Sequence, residues 1–228
     1  MDSKKMFNHL EGYDSVTLPV KEINGNRYYT TPEGNNYPSV TTVTGLLNRV
    51  WIKKWREYVG EEKANKISGQ AMGRGSRYHK LQEDFLNNEL TEERLNGLTP
   101  LDFMMFNQTR EVTSKVGDIY MLEGSMYSNE FEMAGRVDCI AKFNDKLSVI
   151  DFKTSTKPKF PSKIKGYFMQ ETAYAKMFEE FFKEKVEQIV TIISVEETGK
   201  SQMFIEDPDN WVDPLKDLLS QYKEEYGV

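Results

Sequence analysis

The sequence has one cysteine, Cys139, in 228 residues. A single thiol excludes a disulfide framework, a four-cysteine zinc site and a four-cysteine iron–sulfur cluster within one chain. No apolar run approaches the roughly 20 residues that span a bilayer. Met1 to Tyr13 shows neither an apolar core segment nor an arginine-rich amphipathic pattern. The expectation is therefore a soluble intracellular protein with no secretory signal, no transit peptide and no membrane contact. Excess positive charge is also missing. The formal net charge is −6, which argues against a protein that coats nucleic acid with its general surface. An acidic chain can still meet phosphates through metal ions and one local basic face.

What is present suits one globular domain, or one domain with an appendage. The length can bury a core without staples. At 38% hydrophobic and 12% aromatic the chain is not expected to be disordered. Val16 to Val43 reads as extended, with Asn24-Gly25-Asn26 as a hairpin turn. Ser39 or Thr41 caps a helix with apolar positions at Val43, Leu46, Leu47, Val50, Trp51 and Tyr58. Further helices are expected over Ala71–Asn88 and from Thr99-Pro100 to about Val116, with Pro100 at the first helical position. Strands follow at Ile119–Tyr127, Glu132–Phe143 and Leu147–Lys153. A helix at Lys163–Lys183, strands at Val186–Val195 and Gln202–Ile205, and a helix at Trp211–Tyr226 complete the order. There is no internal repeat.

The most informative stretch runs from Gly135-Arg136-Val137-Asp138 to Ile150-Asp151-Phe152-Lys153. Asn144-Asp145 between them tolerates the positive φ angles of a two-residue type I′ turn. That turn sets Phe143 against Lys146, Ile140 against Val149, Asp138 against Asp151 and Arg136 against Lys153. Alternation then puts Arg136, Asp138, Ile140 and Lys142 on one face with Leu147, Val149, Asp151 and Lys153. The opposite face, with Val137, Cys139, Ala141, Phe143, Ile150 and Phe152, is expected in the core. Two carboxylates directly across a ladder lie about 5 Å apart at Cβ and repel. A divalent cation between them turns repulsion into binding, and hard oxygen ligands suit Mg²⁺ or Mn²⁺. Lys153 on the same face can steer a water or stabilise charge on a phosphate.

These residues resemble a known group. Gly135-Arg136-Val137-Asp138 with Val149-Ile150-Asp151-Phe152-Lys153-Thr154 is similar to the catalytic core of the PD-(D/E)XK nuclease superfamily. Gly75-Ser76-Arg77-Tyr78-His79 resembles the Gly-x-x-x-His helix of its RecB-like branch, and Gln170-Glu171-Thr172-Ala173-Tyr174 resembles the branch's Gln-x-x-x-Tyr motif. Tyr37-Pro38-Ser39-Val40-Thr41-Thr42-Val43 resembles a segment of the mitochondrial genome maintenance exonuclease family and its phage relatives. The matched region spans roughly residues 37 to 178. The resemblance implies metal ligands at Asp138 and Asp151, a metal-binding or water-positioning His79, a catalytic Lys153, and Gln170 and Tyr174 positioning the DNA or the site. Some members of the branch carry an iron–sulfur cluster on four cysteines, and none is expected here. A phage origin would place the chain in a host cytoplasm.

The remaining candidates rest on position. Glu83 shares a helix face with His79 and either reaches a metal through water or is solvated. Glu123 lies in the strand before the catalytic hairpin, in a register the sequence does not reveal. Arg136 and Thr154 flank the acids and lysine as candidates for DNA binding or support of the site. Two basic clusters, Arg74, Arg77 and Lys80 around His79 and Lys153 to Lys165 after Asp151, either line a groove or are solvated. Trp51, Trp55 and Tyr58, at helical spacing, read as core ahead of a stacking platform for bases.

The reading is an α/β fold: a restriction-endonuclease-like core with a mixed central sheet flanked by helices. Residues 1–36 form a hairpin extension and residues 37–228 the nuclease domain. The expected function, drawn from the resemblance, is a Mg²⁺- or Mn²⁺-dependent DNA exonuclease acting on single-stranded ends, in replication, recombination or repair. The alternatives are a structure-specific endonuclease on the same scaffold and a DNA-binding protein that has lost catalysis. A carboxylate-pair hydrolase acting on sugars gives Asp-x-Lys no role. The sequence names no protein partner.

Overall fold

Two turns that the sequence marks take left-handed angles at both central residues: Asn24 and Gly25 at φ 52° and 76°, Asn144 and Asp145 at 51° and 61°. In the computed structural model, which describes residues 6–227, the first turn joins β1 (Val20–Ile23) to β2 (Asn26–Thr30), and β3 (Asn36–Pro38) completes a three-stranded antiparallel sheet. The second turn joins two strands of the main sheet.

Ser39 caps α1 (Val40–Thr44), its Oγ accepting from Thr42 N at 3.0 Å. The single helix expected here is broken at Gly45, and α2 (Leu46–Val59) follows. No residue of α2 is buried. Trp51 is 64% exposed and Tyr58 89%, which overturns the expectation that these rings are core. The apolar spacing is there, but the neighbouring elements leave Trp51 and Tyr58 uncovered.

The helix α3 (Glu61–Leu86) begins ten residues before the expected start. Gly69, Gly73 and Gly75 each weaken the helical signal, while Glu61 and Glu62 favour the N-terminus through the helix dipole. The sequence reading omitted the short α4 (Glu92–Asn96), capped by Thr91. Thr99 caps α5 (Pro100–Thr113) with Pro100 in its first turn.

The main sheet contains β4 (Val116–Ser128), β5 (Met133–Phe143), β6 (Lys146–Ser155), β7 (Gln188–Val195) and β8 (Lys200–Glu206), in that spatial order. Only β6 and β7 are parallel, linked by α6 (Lys165–Phe182). Every residue of β7 is buried, as expected of a strand covered on both faces. One core lies on the sheet face that α1, α6 and α7 (Val212–Tyr226) cover, and includes Ile140, Leu147, Val149 and Phe178. The other, toward α3 and α5, includes Tyr78, Phe106, Cys139, Ile150 and Phe152. Val137, expected with Cys139, joins the first core instead. The α/β fold with a mixed sheet flanked by helices is the one expected. Among the described residues, no helix is long and apolar enough to cross a membrane.

Candidate active site

The register from the Asn144-Asp145 turn runs as expected from Phe143↔Lys146 to Cys139↔Ile150, and there it stops. The expected pairs Asp138↔Asp151 and Arg136↔Lys153 do not form. In a continued ladder Phe152 would exchange hydrogen bonds with Val137. Instead Phe152 N donates to Asp138 Oδ2 at 2.9 Å. Meanwhile β6 stays paired with β7 to its end, through Ser155↔Val195. The strands therefore part where the acids lie. Repulsion between facing carboxylates and a side-chain oxygen that takes over the backbone donor both act in that direction.

The opening is lined from three elements. His79 of α3 approaches Asp138 with Nδ1 3.3 Å from Oδ2. Glu123 of β4 lies opposite Asp138, since Leu122 pairs with Cys139 and Gly124 with Val137. Its φ of 51° is left-handed, uncommon for a residue with a side chain and frequent at functional sites. His79, Glu123 and Asp138 each bring a ligand atom within 4.8 Å of the others. Burial and the Asp138 charge push Glu123 up to about 7. Burial disfavours a charged His79, but Asp138 outweighs it and holds the imidazole above its ordinary value. Burial also works against ionised Asp138. His79, Lys153 and the Phe152 N–H prevail, and its carboxyl lies below the ordinary range.

Asp151 lies outside that trio, on β6. Its Oδ2 forms an ion pair with Lys153 Nζ, and its Oδ1 accepts from Gln170 Nε2 of α6 at 2.9 Å. Burial, with Asp138 nearby, pushes Asp151 up to about 6 despite Lys153. Lys153 Nζ also lies 5.4 Å from the centre of the Tyr167 ring, a cation–π contact. Burial opposes charge on Lys153, but Asp151 and Asp138 more than compensate and raise its pKa.

Gln170 and Tyr174 share a face of α6 one turn apart, and both are buried. Tyr174 explains Gly135: a Cβ there would lie 2.8 Å from Tyr174 Cε1, so only glycine admits the ring. Arg136 turns to β4, with Nε 2.7 Å from Glu123 Oε2 and 3.0 Å from Glu123 O. Thr154 Oγ1 accepts from Arg74 Nε at 3.4 Å. Glu83 pairs with Lys80 at 3.2 Å and does not join the trio. The cations around His79 do not form a free basic groove. Arg74 pairs with Glu196, Arg77 with Asp102 and Lys80 with Asp84, at 2.7, 2.9 and 3.0 Å.

Two residues near the site were not singled out from the sequence. Tyr167 lies against Lys153. Glu171 is fully buried, accepts from Thr191 Oγ1, and has no partner at Oε2 among the described residues. Burial, then Asp151, raises the Glu171 carboxyl well above its ordinary value. The signal was available: Phe168, Met169, Thr172, Ala173 and Ala175 surround it, and a helix apolar on all sides buries its acids too.

The donor set fits a hard divalent cation. Two carboxylates and an imidazole converge, with Asp151 beside them on β6, and two of these three acids lie above their ordinary range because burial and neighbouring negative charge disfavour ionisation. A cation relieves both costs.

Comparison with known proteins places this geometry in context. The family model for the PD-(D/E)XK nuclease superfamily matches residues 46–224. Mitochondrial genome maintenance exonuclease 1 of Homo sapiens is 28% identical over 134 residues, 55% of this chain and 38% of that protein. Its Mus musculus counterpart is 25% identical over 133 residues, 55% of this chain and 39% of that protein. The alignment thus spans well under half the length of these relatives. The crystal structure of SSO0001 aligns over 78% of this chain and 74% of that chain, at 16% identity and a TM-score of 0.41, too loose a likeness to carry an argument.

Proposed function

The chain belongs to the PD-(D/E)XK nuclease superfamily, and from that premise we propose that it is a metal-dependent exonuclease that hydrolyses phosphodiester bonds from DNA ends. The substrate on this reading is DNA with single-stranded ends and the setting DNA replication, recombination or repair; the relatives' names, genome maintenance exonucleases, support a DNA substrate and exonuclease action. The observation that carries this reading is the parting of β5 and β6 around Asp138 and Asp151, with Glu123, His79 and Lys153 brought to the same opening.

Asp138, Glu123 and His79 would hold a Mg²⁺ or Mn²⁺ ion, with Asp151 joining from β6. Such an ion activates water and neutralises phosphate charge when bound. The residues around it have separate tasks. Gln170 fixes the Asp151 carboxylate in one rotamer. Arg136 fixes Glu123, and the Phe152 N–H fixes Asp138. Lys153 is the cation aimed at the reacting phosphate. Its ion pair with Asp151 keeps it charged in a dry setting, where a preorganised charge acts most strongly. Tyr174 closes the floor of the opening against Gly135.

The test is incubation with end-labelled linear single-stranded DNA, linear duplex and circular single-stranded DNA, each in Mg²⁺ and in EDTA. Mg²⁺-dependent loss of linear molecules alone is the expected result, single strands going faster. Cutting of the circle would make the protein an endonuclease. Absence of cleavage with Mg²⁺ or Mn²⁺ would reduce it to a DNA-binding protein.

A further inference from the structure

Two open grooves meet at Trp51. One passes between α2 and the start of α6, along Leu47, Phe160, Lys163 and Lys165. The other passes between α2, α3 and the end of β6, along Trp55, Ile67, Arg74, Thr154 and Lys159. Each groove borders a residue next in the chain to one at the site. Thr154 directly follows Lys153, and Tyr167, whose ring contacts Lys153, directly follows Gly166 of the first groove. Gly166 lies close under α2, where a Cβ would come within 3.3 Å of Leu47 Cδ1.

The surface is unusual in two respects. Its aromatic rings face solvent: Trp51 is 64% exposed and Phe160 70%. Trp51 lies parallel to Trp55, with centroids 6.1 Å apart and planes 6° off parallel. Contiguous exposed apolar surface of this kind marks a binding site. Its charge also departs from the rest of an acidic chain. Residues 157–165 hold four lysines and no acid. Lys157 approaches Glu197 at 3.8 Å, whereas Lys159, Lys163 and Lys165 have no ion-pair partner among the described residues. The loop is pinned as well. Lys159 N donates to Gln202 Oε1 at 2.7 Å, and Gln202 Nε2 donates back to Lys159 O at 3.0 Å.

We propose that the two grooves form one track for an unpaired DNA strand running to the acids, with Trp51 and Phe160 stacking on bases and Lys159, Lys163 and Lys165 meeting phosphates. That the strand is DNA rests on the nuclease reading above. Charge complementarity selects a polyanion. The rings select unpaired bases, because a duplex hides the base faces that rings stack on. A rigid strip of rings beside free lysines is the general pattern of single-strand binding without sequence preference.

The test is fluorescence anisotropy of a labelled oligo(dT) of about 12 nucleotides, inside the roughly 4–16-nucleotide footprints of other single-strand readers, with the full chain in EDTA. Trp51→Ala and Phe160→Ala should each weaken binding about tenfold, and Trp51→Phe should recover most of the loss. Lys163→Ala should lower the salt dependence by about one phosphate contact. Arg77→Ala, which removes a cation already paired with Asp102, should change nothing. Circular dichroism confirms that each variant is folded. Wild-type binding that ignores both rings would overturn the track. So would equal, ring-dependent binding of a duplex, or a Trp51→Ala change that only converts a dimer to a monomer. The assay contains no metal, so it is separable from the nuclease test. Ring-dependent binding without cleavage sinks the nuclease reading and keeps the track; cleavage with ring-independent binding does the reverse.

Discussion

The two ends of the β5–β6 ladder are built from one hairpin and face opposite demands. Near the turn, Leu147, Val149 and Ile140 are buried in register under α6. Two residues past Ile140 the strands have separated and acids replace the aliphatic pair. The closed end gains from burial, while the open end places carboxylates where burial raises Asp151 and Glu123. On the proposed function, stability and chemistry are divided along one hairpin, and changes at the two ends should separate them.

The largest effect is expected at the open end. Asp151→Asn should lower Mg²⁺-dependent cleavage by more than the roughly 10–100-fold that even an outer-shell partner costs, with an unchanged circular dichroism spectrum. Wild-type cleavage by this variant would remove Asp151 from the chemistry. At the closed end, Leu147→Ala should cost about 2–5 kcal/mol of stability, read from the urea midpoint, with little change in cleavage per folded molecule. A loss of cleavage equal to that of Asp151→Asn would show that the ends are not independent.

A smaller effect concerns pH. Asp151 and Glu123 are held near 6 and 7, above their ordinary 3.8 and 4.5. The folded chain therefore binds more protons than the unfolded one between those values, and stability falls as pH rises. The contribution is complete below the ordinary values and gone above about 7. Metal-free wild type should melt lower at about pH 8 than at about pH 5, by more than Glu123→Gln does, and Mn²⁺ should restore the difference at the higher pH. An equal pH slope in Glu123→Gln would show that Glu123 is not held in its protonated form. Smallest of all, Asp145→Gly in the turn should shift stability by less than about 0.5 kcal/mol and leave cleavage alone, because glycine accepts the φ of 61° that Asp145 already takes. A larger loss would mean that the Asp145 side chain, and not only its backbone, supports the turn.

What the sequence made legible was local. Asn144-Asp145 fixes the turn and, through it, five ladder pairs. Strict alternation puts Asp151 and Lys153 on one face. What it hid depends on contacts distant in the chain. Glu123 reaches Asp138 only through the β4 register and a left-handed φ, neither encoded near Glu123. The end of the ladder at Cys139 arises from carboxylates brought together, so a pairing rule that extends indefinitely overshoots it. Trp51 and Trp55 have the spacing of a core helix. Trp51 is nonetheless exposed and Trp55 only half-buried, because no residue of α2 is buried under a neighbouring element, which periodicity cannot register. Glycines in α3 masked its first half, because intrinsic preference there opposes a helix that tertiary packing keeps.

Cys139 has a practical consequence. It is fully buried, and burial, with Asp138 beside it, raises its thiol pKa above the ordinary value. Thiolate is the reactive form, so maleimide reagents should leave the native chain unlabelled. A cysteine introduced at Tyr58, 89% exposed on α2, would then carry the sole dye on the molecule. The unsubstituted protein serves as its blank, and movements of α2 could be followed by fluorescence without first removing any natural thiol.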